Sequence, residues 1–364
     1  MARKTKRDPL SMVRPHFKDL VPYVPIIPTA ILQRDTLARI VKLDGNENPY
    51  GPSPRALAAL QQYQDYHIYP DPLQRELRPM LADYVGVTPD RVIPGNGSDE
   101  IIDLLMRLFL EAGDIVINCP PSFGMYPFNT QVCGGALVEI PRRADFTLDL
   151  ETVVNGATKP RAKLLFLASP NNPTGNLLSR DELNALLGSG IVVVVDEAYQ
   201  EFAGAPSFAS LVMEHENLVV LRTFSKWAGL AGLRLGYGVM APSLVCLLDQ
   251  IKPPYNVNVA ALTAAKVSLE DKEYLLERVG RIVQERGRLC DLLRGVSYLE
   301  PIHSEANFIL CRVHGRDAGV LKGGLASRGV FVKHVDTEWL PNCLRISVGA
   351  PQDTDTLMEA LKTL

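Results

Sequence analysis

The chain has 364 residues, 46% hydrophobic and 22% charged, with a formal net charge of -3. That length predicts about two domains with ample core, and the near-neutral balance gives no general attraction to nucleic acid. Six scattered cysteines without a Cys-x-x-Cys pair read as reduced thiols of a cytoplasmic protein, and six histidines without His-Glu-x-x-His spacing give no metal site.

The first 42 residues open on Arg3-Lys4-Thr5-Lys6-Arg7, followed by no apolar run of the kind a signal peptide carries, and hold prolines at 15, 22, 25 and 28. They predict a flexible tail and an arm that packs on a smaller domain or on a partner subunit. No uninterrupted apolar run approaches the roughly 18 residues that a membrane helix needs.

Strand and helix patterns alternate after Leu43. Gly95-Asn96-Gly97-Ser98-Asp99-Glu100 reads as a glycine-rich turn opening into a helix at 99–110, whose free N–H groups and positive dipole end suit a phosphate. A dinucleotide fingerprint would need a glycine where Glu100 stands. Strand-like runs at 115–118, 163–168, 191–195, 218–222 and 235–240, with a helix at 180–187, predict an α/β large domain over 43–270. Its sheet would be mostly parallel and flanked by helices.

Two of these strands deliver polar groups at their C-terminal ends, where open α/β sheets bind ligands. The 163–168 run enters Ser169-Pro170-Asn171-Asn172-Pro173-Thr174-Gly175, a proline-stiffened loop carrying Asn172. Val192-Val193-Val194-Val195 has the apolar continuity of a buried parallel strand and leads to Asp196-Glu197-Ala198-Tyr199.

The most informative stretch is Thr223-Phe224-Ser225-Lys226-Trp227-Ala228-Gly229-Leu230-Ala231-Gly232-Leu233-Arg234. A lysine that must form an imine with an aldehyde belongs in a desolvated pocket that lowers its pKa, and Gly229 and Gly232 would keep that pocket close to the backbone. Arg234 with the hydroxyls of Thr223 and Ser225 suits a phosphate. An aldehyde plus a phosphate points to pyridoxal phosphate. Asp196 would then pair with the protonated ring nitrogen: at about 4 Å and an effective dielectric near 20 the pair gains about 4 kcal/mol, roughly three pK units. That keeps the ring an electron sink. Tyr199 and Asn172 would hold the ring oxygen from two directions.

An amphipathic helix at 272–293 leads into a smaller α/β domain over 271–364, with a strand at 307–313, a helix at 317–327, a strand at 344–348 and a last helix at 354–364.

These segments are joined by Asp44-Gly45-Asn46-Glu47-Asn48-Pro49-Tyr50-Gly51-Pro52, Tyr69-Pro70-Asp71-Pro72 and Pro120-Pro121-Ser122-Phe123-Gly124-Met125-Tyr126. Lys252-Pro253-Pro254-Tyr255-Asn256-Val257-Asn258 and Leu344-Arg345-Ile346-Ser347-Val348-Gly349 complete the set. With them the chain resembles the fold-type I pyridoxal-phosphate aminotransferases, and within these the histidinol-phosphate aminotransferase family. The resemblance implies a cytoplasmic homodimer and a ping-pong transamination of histidinol phosphate, the small-molecule amino donor, with 2-oxoglutarate, a 2-oxo acid. Lys226 would anchor the cofactor and carry the proton at the substrate Cα. Gly97, Ser98, Thr223, Ser225 and Arg234 would hold its phosphate, with Tyr69 reaching in from the neighbouring subunit, and Asp99 would be a further cofactor-binding residue. Phe123, where a tyrosine is usual, would stack on the ring. Arg345 would bind the substrate anion, and Tyr50, Asn172, Tyr255, Asn256 and Lys333 would shape the rest of the substrate site. Lys333 stands where many members have arginine, which keeps the charge and loses the bidentate fork.

Three alternatives share parts of this pattern. An aromatic amino-acid aminotransferase would differ in the pocket walls, at Phe123, Tyr50 and Lys333. A phosphothreonine-type decarboxylase would release carbon dioxide. A ligand-sensing regulator would need a DNA-binding module, for which the residues ahead of Leu43 leave no room.

Overall fold

The computed structural model describes residues 8–17, 20, 22, 25, 31 and 40–364, so most of the expected N-terminal arm lies outside the described residues. Regular structure begins with β1 (Val41–Leu43), α1 (Pro54–Gln62) and α2 (Leu77–Val85). There follow β2 (Val92–Asn96), α3 (Ser98–Phe109), β3 (Ile115–Asn118), α4 (Met125–Cys133), β4 (Ala136–Glu139), α5 (Leu150–Ala157) and β5 (Ala162–Ala168). Next come α6 (Arg180–Leu187), β6 (Val192–Asp196), β7 (Leu218–Thr223), β8 (Leu235–Val239), α7 (Pro242–Ile251), α8 (Val259–Glu270) and the long α9 (Lys272–Arg294). The chain ends with β9 (Leu299–Pro301), β10 (Phe308–Val313), α10 (Ala318–Ala326), β11 (Val330–Thr337), β12 (Leu340–Ser347) and α11 (Pro351–Lys362).

A seven-stranded sheet has the order β2-β8-β7-β6-β5-β3-β4. β4, β3, β5, β6 and β7 pair in parallel, while β8 runs antiparallel to both β7 and β2. The mostly parallel sheet expected from the apolar runs is therefore present. Strands covered on both faces must be apolar throughout, and Val193, Val194, Val195 and Leu218 to Leu221 are all buried. Among the described residues no helix is long and apolar enough to cross a membrane.

The second sheet has the order β1-β11-β12-β10-β9. α9 leads to it with Leu275, Val279, Ile282, Leu289 and Leu293 buried along one face, as its helical period predicts. β1 joins this C-terminal sheet from the far end of the sequence, Val41 to Leu43 pairing in parallel with Val330 to Val332. Residues 44–50 consequently leave the second sheet and cross directly to the first. The arm residues Arg14 and His16 approach the Val132 carbonyl in α4, at 3.1 and 3.4 Å, so this part rests on the helices of the large sheet.

Two strands run against the sequence pattern. β2 contains Pro94 and Gly95, poor strand formers, yet they pair with Tyr237 and Gly236 of β8. Gly95 and Asn96 thus end a strand, and Gly97 alone makes the turn. β11 carries Lys333, His334 and Asp336, which obscure its alternation.

Candidate active site

β2 and β7 are both antiparallel to β8 and so point the same way. The ends of β2, β5, β6 and β7 therefore share one edge, and a cleft of about 370 Å³ opens along it. Gly97, Ser98, Asp99, Phe123, Asn172 and Asp196 line it, with Tyr199, Thr223, Ser225, Lys226 and Arg234. Residues from 97 to 234, distant in sequence, are brought together by strand order.

At one end of the cleft α3 begins without a side-chain cap at Gly97, leaving its first N–H groups directed at an anion site. Gly97 has φ +80°, and a Cβ there would stand 2.6 Å from Arg234 Nη2. Thr223 Oγ1 donates to Ser225 Oγ at 3.0 Å, and the Ser225 N–H donates to Thr223 Oγ1 at 3.1 Å. Arg234 Nη2 donates to Asp99 Oδ2 at 2.7 Å. Asp99, in the first turn of α3, thereby orients Arg234. Gly229, with φ +67°, lets the lysine loop lie on Gly51 and Pro52, where a Cβ would stand 2.8 Å from the Pro52 nitrogen. Gly232 faces open space, so the close approach expected of it is absent.

In the middle of the cleft, Lys226 Nζ donates to the Gly45 carbonyl at 3.2 Å and lies 5.9 Å from the Tyr199 ring centroid. Burial, and then the Arg345 charge, lower the Lys226 amine to about 8. Opposite in character is Asp196, whose carboxyl burial raises to about 6 against the pull of Tyr126 and the Ala198 N–H. Tyr126 Oη donates to it at 2.9 Å and the Ala198 N–H at 3.0 Å. Tyr126 carried no role in the sequence reading, although it ends the Pro120 to Tyr126 motif. Behind these groups Arg222 donates to Glu197 at 3.2 Å and to Glu201 at 2.6 Å. This buried pairing ties the end of β6 to that of β7, next to Asp196 and Thr223.

The 44–50 crossing closes the cleft from the second sheet. Asn48 Nδ2 donates to the carbonyls of Lys226 and Trp227 at 3.2 and 3.0 Å. Arg345, on β12, donates through Nη1 to Asn172 Oδ1 and through Nη2 to the Asp44 carbonyl, each at 2.7 Å. Lys333 is its cross-strand partner on β11. Asn46 joins Tyr199 to Ser347 and Asn307; none of these three partners' links was visible in the sequence.

Several expected site residues lie off the cleft lining. Tyr69 is 77% exposed and stacks on Tyr255 with ring centroids 4.4 Å apart. Asn256 is turned inward, donating to Glu100 Oε2 at 2.7 Å and the Pro94 carbonyl at 3.3 Å. Glu100 also accepts the Asn96 N–H at 2.6 Å, a backbone bond that a third glycine could not make. Tyr50 lies beneath the Arg278 guanidinium, 5.6 Å from its ring centroid.

The donor set fits pyridoxal phosphate. Asp196 is a buried carboxylate with no basic side chain of the described residues in ion-pair range, as a site for a cationic ring nitrogen requires. Lys226 is a depressed amine in the same cleft, and the Gly97 turn leaves room for an anion beside Arg234.

Comparison with known proteins agrees. The family model for aminotransferase class I and II matches residues 38–364. The histidinol-phosphate aminotransferase of Roseiflexus castenholzii is 47% identical over 362 residues, covering 96% of this chain and 97% of that protein. The chloroplastic histidinol-phosphate aminotransferase of Nicotiana plumbaginifolia is 46% identical, covering 97% and 86%. The crystal structure of histidinol-phosphate aminotransferase from Sinorhizobium meliloti in complex with pyridoxal-5'-phosphate superposes with a TM-score of 0.86 at 28% identity, over 97% of this chain and 98% of that one. Full-length similarity of this degree places the depressed lysine, buried aspartate and anion cup in a known lineage: the chain belongs to the class I and II aminotransferases, within the histidinol-phosphate aminotransferase family.

Proposed function

We propose that the chain transfers the amino group of L-histidinol phosphate to 2-oxoglutarate, a step of histidine biosynthesis, using pyridoxal phosphate. The observation that carries this reading is a single cleft holding an amine lowered to about 8, a buried carboxylate without a cationic partner among the described residues and an anion cup. When bound, the cofactor supplies an electron-withdrawing ring that takes up charge from the substrate Cα.

The chain's own residues do the rest. Ser98, Thr223, Ser225, Arg234 and the start of α3 bind the phosphate. Asp196 holds a proton on the ring nitrogen, and Tyr199 and Asn172 orient the ring oxygen. Phe123 covers the ring face. Lys226 Nζ, a free base in a useful fraction of molecules near neutral pH, takes up and returns the proton at the substrate Cα. Arg345 binds glutamate's carboxylate or histidinol phosphate's phosphate in turn, with Lys333 adding charge for the phosphate. Tyr69 and Tyr255 act across a homodimer interface, and the protein works in the cytoplasm. The same reading divides the chain into an arm to residue 42, a cofactor domain at 43–270 and a smaller domain at 271–364, except that β1 (Val41–Leu43) belongs to the smaller domain's sheet.

A half-reaction tests it. Holoenzyme is mixed with one amine at a time and the cofactor absorbance followed. Histidinol phosphate should react fastest among histidinol phosphate, phenylalanine and phosphothreonine. Faster reaction with phenylalanine would transfer the protein to the aromatic aminotransferases, and carbon dioxide release from phosphothreonine to the decarboxylases.

A further inference from the structure

Asn46 is 1% exposed and Ser347 2%, and Asn46 has φ +52°, a left-handed conformation that asparagine tolerates better than most residues with side chains. So placed, Asn46 meets the C-terminal sheet with both backbone and side chain. Its N–H donates to Ser347 Oγ at 2.8 Å. Ser347 Oγ donates to Asn46 Oδ1, also at 2.8 Å. Asn307 Nδ2 donates to the Asn46 carbonyl at 3.0 Å. On the other side, Asn46 Nδ2 donates to Tyr199 Oη at 3.0 Å.

Proton counting fixes the polarity of this chain of bonds. A peptide N–H only donates, so Ser347 Oγ accepts from Asn46 and has one proton to give. Asn46 Oδ1 receives it. Turning the amide around would leave a buried hydroxyl proton with no acceptor among the hydrogen bonds of the described residues, which folded proteins rarely bear. With Oδ1 committed to Ser347, Asn46 shows Tyr199 only an N–H. The Tyr199 oxygen accepts there, and its proton is directed elsewhere than Asn46.

We infer that Asn46, locked by Ser347 and Asn307, is a positioning residue that makes Tyr199 a hydrogen-bond donor toward the ring oxygen of the bound cofactor. The C-terminal sheet thereby sets a protonation equilibrium in a cleft built on the other sheet. The inference rests on reading Tyr199 as a partner of that oxygen. The charged and titratable groups around Tyr199 include Lys226, with Nζ 5.9 Å from the ring centroid, and Asp196 and Tyr126, which line the same cleft. All three are retained in the variants below.

The test reads the pH-dependent absorbance of the holoenzyme. A donor to the ring oxygen favours its ionised form, so weakening the donor raises the midpoint. Ser347→Ala, and Asn46→Gly, which keeps the backbone conformation accessible, should each raise it by about 0.5–1 pH unit. Neither should raise it further in a Tyr199→Phe background. If Tyr199→Phe moves the midpoint while both other variants leave it unchanged, the inference is overturned and the reading of Tyr199 stands. An equal shift with and without the Tyr199 hydroxyl also overturns it, because the effect then bypasses Tyr199. A wild-type midpoint in Tyr199→Phe overturns both.

Discussion

Arg345 and Asn172, matched by sequence to a substrate and a cofactor role, are joined by a 2.7 Å hydrogen bond from Nη1 to Oδ1. The Asp44 carbonyl holds the other arm of the guanidinium at 2.7 Å, so the arginine is oriented before any anion arrives. Because a charge-assisted hydrogen bond is worth about 1.5–3 kcal/mol, Arg345→Ala should lower kcat/KM roughly ten- to a hundredfold in both half-reactions. Lys333 faces Arg345 across β11 and β12, and burial, then Arg345, lower its pKa. It should therefore lose its proton earlier than an ordinary lysine as pH rises. KM for histidinol phosphate should climb at alkaline pH in the wild type but not in Lys333→Ala, with glutamate nearly unaffected. Steady-state kinetics of the two amines across pH decide this, and a parallel loss for glutamate would remove Lys333 from phosphate selection.

Lys226 carries a prediction that needs no substrate. With its amine at about 8, the neutral fraction grows roughly fivefold between pH 7 and 8 and less than twofold between pH 8 and 9. Covalent capture of pyridoxal phosphate by the apo-protein, followed by stopped-flow absorbance, should level off above pH 8 in the same way. Arg345→Ala, which removes one of the causes of the lowered value, should move the plateau to higher pH. A rate that still rises about sevenfold between pH 9 and 10 would describe an unperturbed lysine and sink the assignment.

The elements most legible in the sequence were those whose local pattern equals their environment. β6 reads as a buried strand because Val193, Val194 and Val195 face apolar neighbours on both sides, and Lys226 declares itself by its small and hydroxyl-bearing neighbours. β2 was hidden because Pro94 and Gly95 are accommodated by β8, a tertiary effect that propensity does not record. Tyr126 and Asn46 were missed for a different reason. Their chemistry comes from contacts across 70 and 153 residues, with Asp196 and Tyr199 respectively. A motif places such residues near a site, but only the fold shows which hydroxyl or amide they reach.

Tyr126 makes one of those distant contacts testable. Its hydroxyl donates to Asp196 at 2.9 Å and opposes the burial that raises the carboxyl to about 6. A hydrogen bond to the ionised form favours that form, so Tyr126→Phe should raise the Asp196 pKa further. The acid limb of pyridoxal phosphate binding by the apo-protein, in which Asp196 has no ring nitrogen beside it, should move to higher pH, while kcat at neutral pH changes little. Asp196→Asn, by contrast, should lower the rate at every pH by about a thousandfold, the equivalent of about 4 kcal/mol. A Tyr126→Phe profile that superposes on the wild type would show that Asp196 does not govern that limb.

Tyr69 tests the assembly. Its side chain is 77% exposed, stacked on Tyr255 and absent from the lining of its own chain's cleft. An aromatic pair held outward at little entropic cost suits a contact made across a twofold axis, the commonest closed assembly. The protein should sediment as a homodimer. Lys226→Ala and Tyr69→Phe should each be impaired alone, the first by loss of the amine and the second by loss of a hydroxyl donated to the neighbouring site. If each site combines Lys226 of one chain with Tyr69 of the other, a heterodimer of the two variants contains one site with both residues native. Equal mixing followed by subunit exchange should then restore about a quarter of the wild-type sites. Should the mixture show no more activity than the sum of its parents, although heterodimers have formed, the sites are not shared through Tyr69.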